Sequence, residues 1–105
     1  MGDIFEMRAA VARALAHPTR LRVIDFLAEK PEMCVCDIVE HLEEGQSTIS
    51  KHLAVLRKAG IVDSRKDGLK VFYSLKAPCV NGFFACLDKI ILNDIRKKHR
   101  LISGG

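Results

Sequence analysis

The chain has 105 residues, with 17 Lys and Arg against 13 Asp and Glu, a formal charge of +4. That length suits one domain spanning residues 1–105, and shares of 49% hydrophobic and 29% charged residues exclude a disordered chain. No apolar run of roughly eighteen residues exists to span a membrane, and Asp3 and Glu6 stand where a secretory leader would carry positive charge, so a cytoplasmic protein with no membrane partner is expected.

With no Trp, one Tyr and five Phe, the core must be largely aliphatic, and so small a chain is expected to gain stability by dimerising. Ile4, Met7, Val11 and Leu15 recur at helical spacing over residues 4–16. His17-Pro18 interrupts, and Pro18 suits the first turn of a second helix carrying Leu21, Ile24, Phe26, Leu27 and Ala28 inward. Lys30-Pro31 ends that helix. Met33 to Leu42 reads as a short third helix with Ile38, Val39 and Leu42 inward, and Glu43, Glu44 and Gly45 as a turn. Ser47 to Ala59 reads as a fourth helix, with Ile49, Leu53 and Leu56 on one face and Gly60 as its C-terminal cap.

The period then falls to two. Ile61 to Lys66 and Leu69 to Leu75 read as strands joined by Asp67-Gly68, a strong hairpin signal. After Pro78 a long helix runs to about Arg100, with Val80, Phe83, Phe84, Leu87, Ile90, Ile91 and Ile95 on a wide apolar stripe. The expected fold is mainly α with a β-hairpin wing: a winged helix-turn-helix.

The helix after the turn is the candidate DNA reader. Gln46, Ser47, Thr48, Ser50, Lys51 and His52 offer hydrogen-bonding side chains at its start, suited to base edges and phosphates. The positive N-terminal end of the helix favours phosphate. Arg57 adds charge there, and Arg65, Lys66 and Lys70 surround the hairpin tip, as in a wing lying along the backbone or minor groove. The charge excess agrees with double-stranded DNA as partner. No nucleophile, base and orienting group occur together in a pattern that would make an enzyme.

Several motifs in order resemble the ArsR/SmtB family of metal-sensing repressors. They are Leu15-Ala16-His17-Pro18-Thr19-Arg20-Leu21-Arg22, Met33-Cys34-Val35-Cys36-Asp37-Ile38, Ser50-Lys51-His52-Leu53, Leu56-Arg57-Lys58-Ala59-Gly60-Ile61-Val62 and Val71-Phe72-Tyr73-Ser74-Leu75. The resemblance covers roughly residues 5–95. It implies a homodimeric repressor on an inverted-repeat operator, released by an effector. Dimerisation would use the first and last helices, the latter at about residues 78–100, through Val80, Phe83, Phe84, Leu87 and Ile91.

The resemblance also makes Cys34 and Cys36 the effector ligands. Thiolates select thiophilic ions, with trivalent arsenic or antimony favoured and Cd(II) or Pb(II) as alternatives. On a regular helix the two would point about 200° apart, so chelation demands an irregular or distorted helix start, and the pair is poorly placed for a disulfide, which would require partners from the last helix. Val39 stands where the arsenic-sensing pattern has a third cysteine, and the cysteines that the cadmium-sensing pattern carries near the N-terminus do not occur. Cys79 and Cys86 are therefore candidate metal ligands, two turns apart on the last helix. Either completes the Cys34/Cys36 site or both form a second pair. Their bland alternative is packing, as small hydrophobes. The family's zinc positions on the last helix correspond to Ala77, Cys79, Ile90 and Asn93, where only a cysteine ligates. His17 is expected as a helix cap or core residue. A thiol redox or sulfur switch of the same fold is the other sensing reading, and a ligand-free DNA-binding module a third.

Overall fold

The computed structural model describes residues 2–102; Met1 and the Ser103-Gly104-Gly105 tail lie outside the described residues. Five helices and three strands follow in the order α1 (Ile4–Leu15), α2 (Pro18–Leu27), β1 (Met33–Cys34), α3 (Val35–Leu42), α4 (Gln46–Lys58), β2 (Val62–Asp67), β3 (Lys70–Leu75) and α5 (Val80–Ile102). This is the expected mainly helical fold with a hairpin wing.

Local chemistry sets most boundaries. Asp3 caps α1 by accepting from the Glu6 N–H at 2.8 Å. His17 caps α2 in the same way: its Nδ1 accepts from the Thr19 N–H at 3.1 Å, with Pro18 in the first turn. The Arg20 guanidinium reaches back from α2 and donates to the Ala14 carbonyl at 3.1 Å, so the open end of α1 is tied to the start of α2. Glu43 takes a left-handed conformation (φ 55°) to end α3. At the end of α4 the Gly60 N–H donates to the Arg57 carbonyl and the Ile61 N–H to the Leu56 carbonyl, both at 3.0 Å. That pairing requires Gly60 at φ 81°.

Two expectations are corrected. Met33 and Cys34 are not the first turn of α3. They form a third strand paired antiparallel with β3, Met33 opposite Tyr73 and Cys34 opposite Phe72, in the order β1-β3-β2. Both side chains are buried, and the pairing satisfies an edge of β3 that a helix start would leave open. The hairpin turn also lies one residue later than expected. Asp67 pairs with Lys70, so Gly68 and Leu69 form the turn, Gly68 with φ 62°. Glycine in the first turn position, followed by a residue of negative φ, suits the right-handed twist of the strands.

The core is aliphatic, as expected: Ile24, Leu27, Ile38, Ile49, Leu53 and Leu56 are wholly buried. Between α2 and α4 sits a polar joint. Thr19 Oγ1 donates to Glu44 at 3.0 Å, and the rings of His17 and His52 lie 4.4 Å apart, centre to centre.

α5 starts on this core and then leaves it. Val80, expected at the dimer interface, is instead buried in its own protomer, and Phe84 packs against the same core. The turn at residues 77–79, with the Val80 N–H donating to the Ala77 carbonyl at 3.1 Å, drops the helix start onto the core. Beyond it, Phe83, Ile90, Ile91, Leu92 and Ile95 are exposed, Ile90 at 61%. Ile4, Phe5, Met7 and Val11 of α1 are exposed as well, Phe5 at 70%. The radius of gyration is 16.8 Å, against about 13 Å for a compact chain of this length, because α5 projects. Among the described residues no helix is long and apolar enough to cross a membrane.

Burial holds the His52 imidazole below its usual 6.5, and the nearby His17 and Arg20 push in the same direction, against Glu44. Below about pH 6.5 the unfolded chain takes up a proton that folded His52 resists, so folding stability falls as the pH drops toward the depressed folded value. Thermal melts at about pH 7.5 and about pH 5.5 should therefore show a smaller acid-induced drop in Tm for His52→Gln than for the wild type. Equal drops would assign the effect to other groups.

Candidate nucleic-acid interface and thiol pair

α4 is two-faced. Ile49, Leu53 and Leu56 point into the core, while Gln46, Ser47, Thr48, Ser50 and Lys51 are exposed. The N-cap is Gly45, which makes no side-chain capping bond. The first-turn N–H groups are thus left without a side-chain acceptor at an end whose dipole favours phosphate. Arg57 and Lys58 are exposed in the last turn of α4, and Lys66 and Lys70 in the wing.

Two expected DNA contacts sit differently. His52 is half-buried against His17 rather than aligned with the exposed row. Arg65 is held by Glu32: its Nε donates to Glu32 Oε2 at 3.2 Å and its Nη2 to Oε1. The same guanidinium lies 4.9 Å from the centre of the Phe72 ring and 3.6 Å from Asp67. Its hydrogen bonds hold the Glu32 carboxyl below the usual carboxylate range. Glu32 was missed in the sequence because it lies 33 residues from Arg65, with no local pattern to link them. It fastens the wing to the segment ahead of β1.

The thiol pair is assembled by the break between β1 and α3. Cys34 has extended backbone (φ −65°, ψ 146°) and is the N-cap of α3, its sulfur accepting from the Cys36 N–H at 3.3 Å. The 200° separation applies to two residues on one helix. Here Cys34 precedes the helix, and its side chain folds back over the first turn. The Cα atoms are 5.2 Å apart and the sulfurs are joined as a disulfide, within the ordinary range of Cα separation for such a bond. The expectation that this pair is poorly placed for a disulfide is therefore overturned. Cys34 is buried, at 6% exposure, and Cys36 is exposed.

A cavity of about 300 Å³ opens beside the pair. Its walls come from the thiol segment (Cys34, Val35, Cys36), from α4 (Gln46, Ser50) and from the wing (Lys70, Val71, Tyr73). The thiols thus border both elements expected to touch DNA. Tyr73 had no sequence signal as a neighbour of the cysteines; its place follows from the register of β1 on β3.

Cys79 and Cys86 are both exposed free thiols, so neither is packed as a buried hydrophobe. Cys79 sits on the turn before α5, in a groove shared with Arg8, Val11 and Phe83, away from the cavity beside Cys34 and Cys36. Among the described residues no three His, Cys, Asp or Glu side chains come together as a metal-binding group. His17 is the helix cap expected of it.

Residues 17–64 match the sequence profile described as "Bacterial regulatory protein, arsR family". An uncharacterized HTH-type transcriptional regulator of Methanocaldococcus jannaschii is 41% identical over 86 residues, 82% of this chain and 97% of that protein. The arsenical resistance operon repressor of Escherichia coli is 44% identical over 63 residues, 60% of this chain and 54% of the repressor. The cadmium resistance transcriptional regulatory protein CadC of Listeria innocua is 41% identical over 64 residues, 61% of this chain and 54% of that protein. The chain thus spans nearly all of the first relative and about half the length of the other two. The crystal structure of M. tuberculosis Rv0081 superposes with a TM-score of 0.77 at 28% identity, covering 93% of this chain and 98% of that one. The homodimeric winged helix-turn-helix DNA-binding domain Mb0332 of Mycobacterium bovis superposes with a TM-score of 0.72 at 28% identity, covering 91% and 86%. With a two-faced helix behind a tight turn, a basic wing and relatives matched along nearly their whole length, the chain belongs to the arsR family of DNA-binding transcriptional regulators and is not an enzyme.

Proposed function

We propose that the chain is a homodimeric cytoplasmic repressor whose hold on operator DNA is released when a thiophilic metal(loid) binds Cys34 and Cys36. Trivalent arsenic or antimony is the favoured effector, with Cd(II) or Pb(II) next. The observation that carries the reading is the cavity on which the two thiols, Gln46 and Ser50 of α4, and Lys70 of the wing all border. Thiolates prefer soft ions, and once the disulfide is reduced the two sulfurs stand close enough for such a ligand without rebuilding of the fold. Occupation there acts on the spacing between reading helix and wing. The arsenical and cadmium repressors among the relatives support the same class of effector.

DNA contact is assigned to Gln46, Ser47, Thr48, Ser50 and Lys51 on α4, to Arg57 at its far end, and to Lys66 and Lys70 on the wing. The whole chain acts as one winged-helix unit. α5 serves as the dimerisation helix, with Phe83, Leu87 and Ile91 meeting a second copy alongside the exposed face of α1. The operator is then an inverted repeat, since a two-fold dimer presents its two α4 helices symmetrically.

A second reading rests on the Cys34–Cys36 disulfide: the same pair reports oxidation, with Cys36 the accessible thiol. Cys79 and Cys86 are exposed, and a ligand role for them needs a second protomer or a separate site.

Three measurements test these assignments. In fluorescence anisotropy with a selected operator duplex, arsenite or antimonite should weaken wild-type binding by about 5–150-fold, the usual span of allosteric coupling. Cys34→Ser and Cys36→Ser should each bind DNA normally and lose that response. Release by peroxide alone would favour the redox reading, and unchanged response in both variants would exclude the pair as sensor.

Lys51→Ala should weaken operator binding and lower the salt-dependence slope by about one. Glu32→Gln should raise that slope, because it removes one of the two carboxylates, Glu32 and Asp67, that offset the Arg65 charge on the wing.

Ile91→Glu should shift the protein to monomer in analytical ultracentrifugation with helical content retained, and should weaken operator binding with it. A dimer of unchanged strength would remove α5 from the interface.

A further inference from the structure

We propose that Leu69, at the tip of the wing, is an apolar wedge that parts the base pairs of a TA step from the minor groove, so that the chain reads the deformability of its operator as well as its base edges. That role rests on the DNA-binding reading above and adds a specificity-determining residue to it. Leu69 is wholly exposed, at 103%, in the second position of the Gly68-Leu69 turn. Val55 on α4 apart, the other large apolar side chains exposed among the described residues lie on α1 or α5, the helices assigned to a second copy. Leu69 lies on neither, and its own protomer leaves it uncovered.

The hairpin around it is shaped for a groove. Residues paired across an antiparallel ladder share a face, and successive pairs alternate faces. Asp67 pairs with Lys70 and Lys66 with Val71, so Lys66 and Lys70 stand on opposite faces just behind the tip. A cation on each face and an apolar end match the minor groove, which has phosphates along both rims and sugars for walls. That groove is about 6 Å wide, room for one side chain at the corner of a two-residue turn. Asp67, the acid at the same corner, lies 3.6 Å from Arg65 Nη1, which offsets its charge. The tip also faces the right way. Leu69 and Lys70 border the same cavity as Gln46 and Ser50 of α4, so wing tip and reading helix meet one duplex from one side of the protomer.

An apolar side chain offers no hydrogen bond by which to identify a base. It reads a step by what parting the step costs. Pyrimidine–purine steps unstack most readily, and burial of the Leu69 side chain offsets part of that cost. Among those steps TA also lacks the amino group that guanine projects into the minor groove, where an apolar side chain would leave it unpaired.

The test uses the full chain, reduced, as wild type, Leu69→Ser and Leu69→Met. With Leu69 outside the core, both variants should keep the wild-type circular dichroism spectrum and Tm. Each protein selects duplexes from a pool of random sequence. Wild type and Leu69→Met should recover half-sites with a TA step at a fixed distance, and Leu69→Ser the same half-sites with that position randomised. On the wild-type duplex Leu69→Ser should bind about tenfold more weakly. Its salt-dependence slope should be unchanged, because no phosphate contact is lost. The thymine of the step should become reactive to permanganate, which attacks unstacked thymine, under wild type and stay protected under Leu69→Ser.

Wild-type flanks without a TA preference, equal affinity of Leu69→Ser, or permanganate reactivity indifferent to the substitution would overturn the wedge and leave the DNA-binding assignment standing. A changed sedimentation coefficient of free Leu69→Ser would place the residue against a second copy and overturn it as well. If wild type selects no duplex, both fail together.

Discussion

Cys34 is the point on which the architecture turns. Its backbone pairs with Phe72 of the wing strand, its sulfur caps the first turn of α3, and the same sulfur is half of the thiol pair. A sulfur is a weak acceptor compared with the oxygen of Ser, Thr or Asp, so as a helix cap Cys34 is a poor choice. As a device joining a ligand site to a sheet and a helix it is effective. The cap and the disulfide coexist on that sulfur, so a ligand proposed for the thiol pair would act on the start of α3 and on β1 together. Because β1 pairs with β3 and α3 is followed by a three-residue turn, such a displacement would reach the wing and α4. The coupling needs no long pathway, only the covalent chain and one strand pairing.

The wing has a second attachment on the same segment. Glu32, two residues before Cys34, grips Arg65 across the sheet. The pair is exposed, so its direct contribution to stability is small. Its effect is on placement and charge: it fixes the wing relative to β1 and withholds one cation from the DNA face. The recognition helix shows a similar division. Its inner face is wholly aliphatic, its outer face carries hydrogen-bonding groups, and His52 stands at the boundary against His17. The reading surface is thus held against α2 by the His17–His52 contact and the Thr19–Glu44 hydrogen bond.

Much of this was legible in the chain. The helices of the DNA-binding unit announce themselves by period, by His17-Pro18 and by Gly60, whose conformations serve few other purposes. The apolar stripe on α5 was readable as surplus, and the exposed Ile90, Ile91 and Ile95 bear that out. The two-residue strand was not legible, since two residues have no period, and the strand exists only because β3 offers an edge. From that one omission followed the mistaken judgement against a Cys34–Cys36 disulfide, whereas the irregular helix start that chelation was expected to need is present. The turn shifted by one residue because Asp-Gly and Gly-Leu are both acceptable hairpin corners, and strand register, which no local signal states, decides between them. Arg65 looked like a free wing cation because its partner is 33 residues distant. Val80 looked like interface because periodicity places a residue on a stripe and does not say which part of the stripe the protomer's own core consumes.

The exposed faces of α1 and α5 complete the physical logic. A winged helix of this size buries one aliphatic core, and that core is satisfied by the end of α1, α2, α3, α4, the sheet and the start of α5. Beyond the half-buried Leu87 every described residue of α5 to Leu101 is exposed, yet the helix continues to present isoleucine and leucine. Such a row left in water would be an aggregation hazard. In the proposed dimer a second copy would cover this row in a closed, two-fold way and fix the distance between two α4 helices. On that proposal sensor and dimer would address different variables: the thiol pair would bear on the position of each α4 against its own wing, and α5 on the position of one α4 against the other. An operator with two half-sites would be sensitive to both, so a displacement within each protomer would be felt twice in the bound dimer.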